Sequence, residues 1–358
     1  MTGARILVVG GGAIGGITAA KLAGAGERVV VLDTHEEHVA RLREPGLTFE
    51  EDGAAHTVPL EAVGSAGELD GEFDFALVAV KSPFHRAALE PLAATGKVES
   101  FVSLGNGLIQ DRMAELVGAD RLFSCIVEWG GNNLGPGRVV RDTIAPMVVG
   151  ELDNSERDRT RLLARCLEAV GEVRLTHNMR GQIWSKLLVN SSCTGLSAVS
   201  GLRYGGVADH EDGRRALYEI WAEGVAVAEA EGVELDEVLD VQPHELVERD
   251  DAALARMMAI AGNTKPSMLQ DLEQGRATEV DVVNGGVAER GRAHSIPTPF
   301  NDRVVEFVHA MEEGERSPAP EELTELVLVA AAAQAGQRRP GGEAVDQVEA
   351  GVRRDLTR

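Results

Sequence analysis

The chain has 358 residues, enough for two domains of ordinary size, and carries 58 acidic against 35 basic residues for a net charge of −23. Such a surface disfavours nucleic acid and anionic membranes, both of which are bound by bringing Lys and Arg to phosphates, and at 4% the aromatic residues are too few for a base-stacking platform. Cys125, Cys166 and Cys193 lack C-x-x-C spacing, so neither a disulfide framework nor a zinc site is expected. No uninterrupted apolar run reaches the length of a membrane span, and the opening MTGARILVVGGG reads as a strand rather than a signal peptide. The expected setting is a reducing cytoplasm.

In chain order, the first elements carry the clearest signal. An apolar run, Ile6 to Val9, leads into Gly10, Gly12 and Gly15 at G-x-G-x-x-G spacing. An alanine-rich helical segment follows, then a second apolar run, Val29 to Leu32, that ends on Asp33. Strand, glycine turn, helix and strand together make a dinucleotide site. Gly10 permits the tight turn, Gly12 lets the backbone approach a pyrophosphate, and Gly15 lets the helix pack on the strand. The helix N-terminus, with Ala13 and Ile14 in the loop, offers unpaired N–H groups and a positive dipole end to the phosphates. Asp33, about 20 residues on, is placed to accept hydrogen bonds from the adenosine ribose hydroxyls.

Further along, Glu36 to Arg43 reads as a short exposed helix, and Leu47 to Glu50 with Thr57 to Leu60 as a hairpin around Asp52-Gly53. Phe73 to Val80 is a buried strand ending on Lys81, Pro83 to Ala93 a helix, and Ser100 to Leu104 a strand ending in Gly105-Asn106-Gly107. Leu122 to Val127 is another strand. Arg138 to Asp142 and Met147 to Gly150 are expected to pair antiparallel, and a helix from Glu156 to Ala169 with a strand at Glu172 to Leu175 closes the unit. Alternating strands and helices predict an α/β doubly wound parallel sheet, with ligands beyond the carboxyl ends of the strands, where Lys81 and Asn106 fall. From His177 onward the β signal fades, so residues 177–313 are expected to form an all-helical domain after a Rossmann-like domain at 1–176. Ser317-Pro318-Ala319-Pro320 then breaks the chain before a helix to about Ala335, a linker at Gly336 to Gly342, and a solvated or frayed terminus from Glu343 to Arg358.

Within the helical half, GQIWSKLLVNSSCTG spaces Lys186, Asn190 and Thr194 at i, i+4 intervals on one helix face. A polar stripe is ordinarily a solvated face. This one holds no carboxylate and no arginine in a chain rich in both, which suits a cleft better. Lysine is scarce: Lys21, Lys81, Lys97, Lys186 and Lys265 are all there are. Downstream, KPSMLQDLEQGRATEVDVVNGG reads as a short helix opened by Pro266 and a second opened by Thr278, with Asp281 at capping-box spacing and Glu279 in its first turn. By itself Glu279 there only complements the helix dipole.

These stretches together resemble the ketopantoate reductase family, from the glycine loop to about Glu312. The resemblance rests on GGGAIGG, AVKS around Lys81, GNG around Asn106, IWSKLLVN around Lys186, SMLQD followed by TEVDVVNGG, and HSIPTPFN. It implies a Rossmann-like domain joined to a helical domain, with catalysis in the cleft between, and reduction of a 2-keto acid, typically 2-dehydropantoate, to the (R)-2-hydroxy acid by a nicotinamide cofactor. Carried over by position, Lys186 matches the general acid and Glu279 its ion-pair partner. Asn190 matches a substrate-holding asparagine, Ser267 a carboxylate-binding serine, Asn106 a loop residue at nicotinamide and substrate, and Lys81 a lysine on the cofactor side.

Three departures bear on specificity. Thr194 stands where the family often has a second asparagine, and Thr264 where it has an asparagine, with Asn263 adjacent. Asp33-Thr34 stands where NADP-using members typically carry an arginine, so NADH is expected over NADPH, because a carboxylate binds a free 2′-hydroxyl and repels a 2′-phosphate.

Two other readings are an NAD-dependent (R)-2-hydroxyacid dehydrogenase for branched or aromatic keto acids and a dinucleotide sensor without catalysis. Retention of Lys186 and Glu279 argues against the sensor. His177, His210, His244 and His294 lack metal-site spacing, and His177 is the weaker alternative as general acid. The helix from Glu321 carries Leu323, Leu326 and Val327 at i, i+3, i+4, and is expected to pack on its own chain, with a homodimer the open alternative.

Overall fold

The computed structural model describes residues 2–337. They form two compact units that divide after Trp184. The first contains β1 (Arg5–Val9), α1 (Ala13–Gly24), β2 (Arg28–Leu32), α2 (Glu36–Arg43), β3 (Leu47–Glu51), β4 (Ala54–Val58), β5 (Glu61–Val63), β6 (Phe73–Val78), α3 (His85–Ala94), β7 (Val98–Ser103) and α4 (Gln110–Val117). It continues through β8 (Leu122–Val127), β9 (Gly131–Gly135), β10 (Arg138–Arg141), β11 (Met147–Gly150), α5 (Asp158–Leu167) and β12 (Val173–Leu175).

Eight strands lie in the order β12-β11-β8-β7-β6-β1-β2-β5. All neighbours run parallel except β8 and β11. The near-continuous apolar runs of β1, β6 and β7 are what a sheet covered on both faces requires. Their side chains meet α1 in a core that includes Ile6, Val8, Ile17, Phe75, Leu77 and Phe123. β1 has β2 on one side and β6 on the other, so the chain reverses its direction of travel across the sheet at the carboxyl end of β1, the place where such sheets bind ligands.

Two strand expectations are corrected. Arg138 to Asp142 and Met147 to Gly150 do not pair with each other. β10 pairs antiparallel with β9 and parallel with β3, in a separate four-stranded sheet of order β4-β3-β10-β9, while β11 joins the large sheet between β8 and β12. The partner that takes β10 away, β9, reads Gly-Asn-Asn-Leu-Gly and carries none of the alternation that marks a strand. The hairpin at Asp52-Gly53 forms, with positive φ at both turn residues, but it serves this small sheet, and β5 adds an edge strand to the large one.

α6 (Met179–Val189) begins in the first unit, packing Met179 and Ile183 against Ile126 and Val148. The second unit continues through a π-helical turn at Asn190–Thr194, α7 (Gly195–Ser200), α8 (Tyr204–Asp209), α9 (Glu211–Ala230), α10 (Pro243–Val247), α11 (Asp251–Ala261), α12 (Ser267–Glu273), α13 (Asn284–His294), α14 (Pro299–Glu312) and α15 (Glu321–Gln337). α9 is the hub, touching α8, α10, α13, α14 and α15, and its Trp221 is fully buried with Nε1 donating to the Pro243 carbonyl at 2.8 Å. α15 docks on α7, α9 and α14, as expected of a helix packing on its own chain, and buries Leu323, Leu326, Val327 and Ala330. Gly336 belongs to α15, and the rest of the expected linker and terminus, 338–358, lies outside the described residues.

Candidate active site

The glycine turn is built by crowding. Gly10 has φ +97°, and a Cβ there would lie 2.7 Å from Val80 Cγ1, because the end of β6 presses against the end of β1. A Cβ on Gly15 would fall 2.0 Å from the Gly10 carbonyl oxygen and 2.9 Å from Ala79 Cβ, so only glycine lets α1 pack this closely. Gly12, the residue preceding α1, is different: a Cβ there would meet nothing within 4 Å. The space in front of Gly12 is open, and the N–H groups of Ala13, Ile14 and Gly15 in the first turn of α1 have no intrahelical acceptor. A pyrophosphate fits there, on backbone donors and the positive end of α1.

Asp33 follows β2 and is half-buried. Its Oδ2 accepts from Gly11 N at 2.8 Å and its Oδ1 from His35 N at 2.9 Å, which fixes the carboxylate while each oxygen retains a lone pair. Lys81 lies just beyond β6 and Asn106 just beyond β7, both half-buried. Gly10, Gly12, Ala13, Ile14, Gly15, Asp33, Lys81 and Asn106 therefore share the carboxyl ends of four adjacent strands, β2, β1, β6 and β7.

In the second unit, Lys186 and Asn190 are half-buried in a stretch whose residues from Leu187 to Val189 and from Ser191 to Ser200 are all buried. The expected unbroken helix is interrupted: residues 190–194 form a π-turn, whose wider winding changes the phase after Asn190. Thr194 is buried, with its hydroxyl 2.6 Å from the Tyr204 hydroxyl. The π-turn leaves the Ser191 carbonyl to accept from Asn284 Nδ2 at 2.9 Å. Asn284 Nδ2 also donates to Asn301 Oδ1 at 2.9 Å, and Asn301 Nδ2 donates to Glu223 Oε2 at 2.8 Å. Glu223 accepts two more bonds, from the N–H groups of Phe300 and Asn301 in the first turn of α14. Burial pushes its carboxyl up to about 8, against the opposing pull of those three donors.

The second helix expected from Thr278 begins later, at Asn284. Residues 279–283 form a turn in which Glu279 O accepts from Val282 N and Val283 N, and no capping box forms: Thr278 Oγ1 accepts from Val280 N, while Asp281 pairs with His309 at 2.8 Å. Three valines within four residues, Val280, Val282 and Val283, are buried here, which favours a turn that aims them inward over a regular first helical turn. Glu279 is half-buried in this turn. α12 packs against α7 and the π-turn, so Ser267, exposed at its start, belongs to an element seated on the one that carries Asn190. Asn263 is exposed in the preceding loop, its carbonyl accepting from Arg203. Sequence reasoning missed His38, whose Nε2 is 2.8 Å from the Gly11 carbonyl oxygen, and Glu223, Asn284 and Asn301, which hold the π-turn; the NGG and PFN stretches that contain the two asparagines were visible, but no spacing rule assigns them a partner.

Among the described residues, no helix is long and apolar enough to cross a membrane, and no cluster of His, Cys, Asp or Glu could hold a metal ion. A largely parallel sheet with a glycine turn at its switch point and an acid after the second strand has the architecture of a dinucleotide-binding unit. The pattern of the family described as Ketopantoate reductase PanE/ApbA matches residues 6–154, and that of Ketopantoate reductase PanE/ApbA C terminal matches residues 178–312. The chain belongs to the ketopantoate reductase family and is an oxidoreductase of that type.

Among its relatives, the 2-dehydropantoate 2-reductase of Halobacterium salinarum is 30% identical over 306 residues, covering 85% of this chain and 97% of that protein. The enzyme of the same name from Mesorhizobium japonicum is 30% identical over 332 residues, covering 86% and 97%. A crystal structure of a PanE/ApbA family ketopantoate reductase from Ralstonia eutropha superposes with a TM-score of 0.75 at 26% identity, covering 87% of this chain and 99% of that one. D-mandelate dehydrogenase with NADH and anilino(oxo)acetate shares the fold, with a TM-score of 0.77 at 24% identity over 87% and 99% of the two chains.

Proposed function

We propose that this chain reduces 2-dehydropantoate to (R)-pantoate with NADH, using Lys186 as general acid and Glu279 as its ion-pair partner. The observation that carries the reading is Lys186 itself, a half-buried ammonium among buried neighbours, one turn before a π-turn that presents Asn190, in a chain with few lysines.

A nicotinamide bound at the glycine turn would supply the hydride that reduces the ketone carbon. As negative charge grows on the ketone oxygen, Lys186 Nζ stabilises it by hydrogen bonding and then transfers its proton. The Glu279 carboxylate favours the charged, proton-bearing lysine and orients it. Asn190, Ser267 and Asn263 provide amide and hydroxyl donors for the substrate's polar oxygens, and Thr194 adds a hydroxyl shared with Tyr204. Asn106 serves nicotinamide and substrate, and Lys81 lines the cofactor side. Support for NADH comes from the pinned Asp33 carboxylate and from the exposed acids Glu36 and Glu37 that follow it, an environment that repels a 2′-phosphate. The acidic chain and its three buried thiols fit a cytoplasmic setting.

Initial rates with NADH and NADPH, side by side, on 2-dehydropantoate and a panel of branched and aromatic 2-keto acids test the reading. NADH-dependent turnover is expected to be fastest on 2-dehydropantoate. Comparable rates with NADPH would contradict the cofactor assignment, and a marked preference for another keto acid would contradict the substrate assignment.

A further inference from the structure

We propose that His38 is the positioning residue of the glycine loop, a neutral imidazole that holds the Gly11 peptide in register for the dinucleotide. The inference rests on the reading that this loop binds the dinucleotide.

His38 lies on α2 and is buried. Its two ring nitrogens face opposite partners: Nδ1 is 2.9 Å from the Gly137 N–H, and Nε2 is 2.8 Å from the Gly11 carbonyl oxygen. An N–H can only donate and a carbonyl can only accept, so Nδ1 must be bare and Nε2 must carry the proton. One tautomer satisfies both partners, and a doubly protonated ring would set an N–H against an N–H.

The arrangement closes a ring of hydrogen bonds around the loop. Gly11 N donates to Asp33 Oδ2, Asp33 Oδ1 accepts from His35 N, His35 Nδ1 accepts from His38 N at 3.1 Å, and His38 Nε2 returns to Gly11 O. Both polar groups of the Gly11 peptide are thereby tied to the connection after β2. This is the connection that carries the ribose-binding carboxylate, so His38 couples the placement of the pyrophosphate turn to that of Asp33. The fit is close enough to exclude any side chain at Gly11, where a Cβ would lie 2.8 Å from His38 Nε2. Through Gly137 the same ring reaches the turn between β9 and β10, so the small sheet braces the loop from outside the large one.

The test compares His38→Phe, which keeps a ring of similar size but loses both hydrogen bonds, with His38→Gln, whose amide offers one donor and one acceptor, and with Gly12→Val as a probe of the loop itself. The expected result for His38→Phe is a dissociation constant and KM for NADH raised roughly tenfold, the size of one net hydrogen bond, with kcat at saturating NADH within about twofold of wild type. His38→Gln is expected to recover most of the affinity.

Wild-type affinity in His38→Phe while Gly12→Val loses NADH would overturn the role of His38 and leave the loop reading intact. Wild-type affinity in Gly12→Val would overturn the loop reading and this inference with it. A glutamine variant no better than phenylalanine would overturn the hydrogen-bond account. If His38→Phe does not fold, the imidazole nitrogen resonances of the wild-type protein decide: a neutral ring protonated at Nε2 is expected, and a ring protonated at Nδ1 or at both nitrogens at neutral pH would overturn the proposal.

Discussion

Lys186 and Asp33 show how differently two ionisable side chains can announce themselves. The position of Asp33 was legible because it depends on local chain geometry: strand, glycine turn, helix and strand fix where an acid about 20 residues on must lie. The cost of exchanging its charge is equally local. Asp33→Arg is expected to raise kcat/KM for NADPH and lower it for NADH, reversing the ratio by about tenfold or more, as steady-state rates with both cofactors would reveal. Lys186 was legible through scarcity and resemblance rather than geometry, because nothing in spacing distinguishes a proton donor from a solvated stripe. In the proposed mechanism, replacing it with alanine removes proton transfer and oxyanion stabilisation together. Lys186→Ala should reduce kcat by about 10² to 10⁴, with the NADH dissociation constant, measured by fluorescence titration, unchanged. His38 lay beyond sequence reasoning because its partners, Gly11 and Gly137, are backbone groups, and one of them comes from a distant turn.

Elements were read well where the pattern is strong and poorly where tertiary partners decide. β1, β2, β7 and β8 are close to their expected bounds, since continuous apolar runs are local signals. β10 and β11 were assigned to each other because β9, the true partner of β10, has no strand pattern. The π-turn at 190–194 is likewise invisible to a 3.6-residue period, and it is held by Asn284, Asn301 and Glu223 from three other helices. Asn284→Leu leaves the Ser191 carbonyl and Asn301 Oδ1 buried without a donor, at about 1–3 kcal/mol for each, so urea denaturation should show a loss of that order together with a lower kcat.

Glu223 makes the same support pH-dependent. Its carboxyl is raised from 4.5 to about 8, so the folded state holds a proton that the unfolded chain releases. Its contribution to stability is fully present below pH 4.5 and is lost as pH rises through about 8. Denaturation midpoints across that window should therefore decline less steeply in Glu223→Gln than in the wild type, and parallel slopes would contradict the assignment.

For the molecule as a whole, each unit carries its own buried core, and in the proposed function each contributes one half of the chemistry: dinucleotide-binding backbone in the first, proton donor and substrate amides in the second. The α15 helix lies past residue 312, where the C-terminal family pattern ends, yet it is part of the second core. Its apolar spacing was plain in the sequence, while the identity of the surface it covers was not, because that surface is assembled from α7, α9 and α14. Leu326 is fully buried there, so Leu326→Ala should destabilise the protein by about 2–5 kcal/mol, read as a lower denaturation midpoint.

The central claim, that this family member is a stereospecific 2-dehydropantoate reductase acting through Lys186, is tested most directly by following the product. With NADH and 2-dehydropantoate, chiral chromatography should reveal (R)-pantoate as the sole enantiomer, formed in step with NADH consumed, and almost none in the Lys186→Ala variant. Absence of pantoate from the wild-type reaction, or its undiminished formation in the variant, would contradict the account.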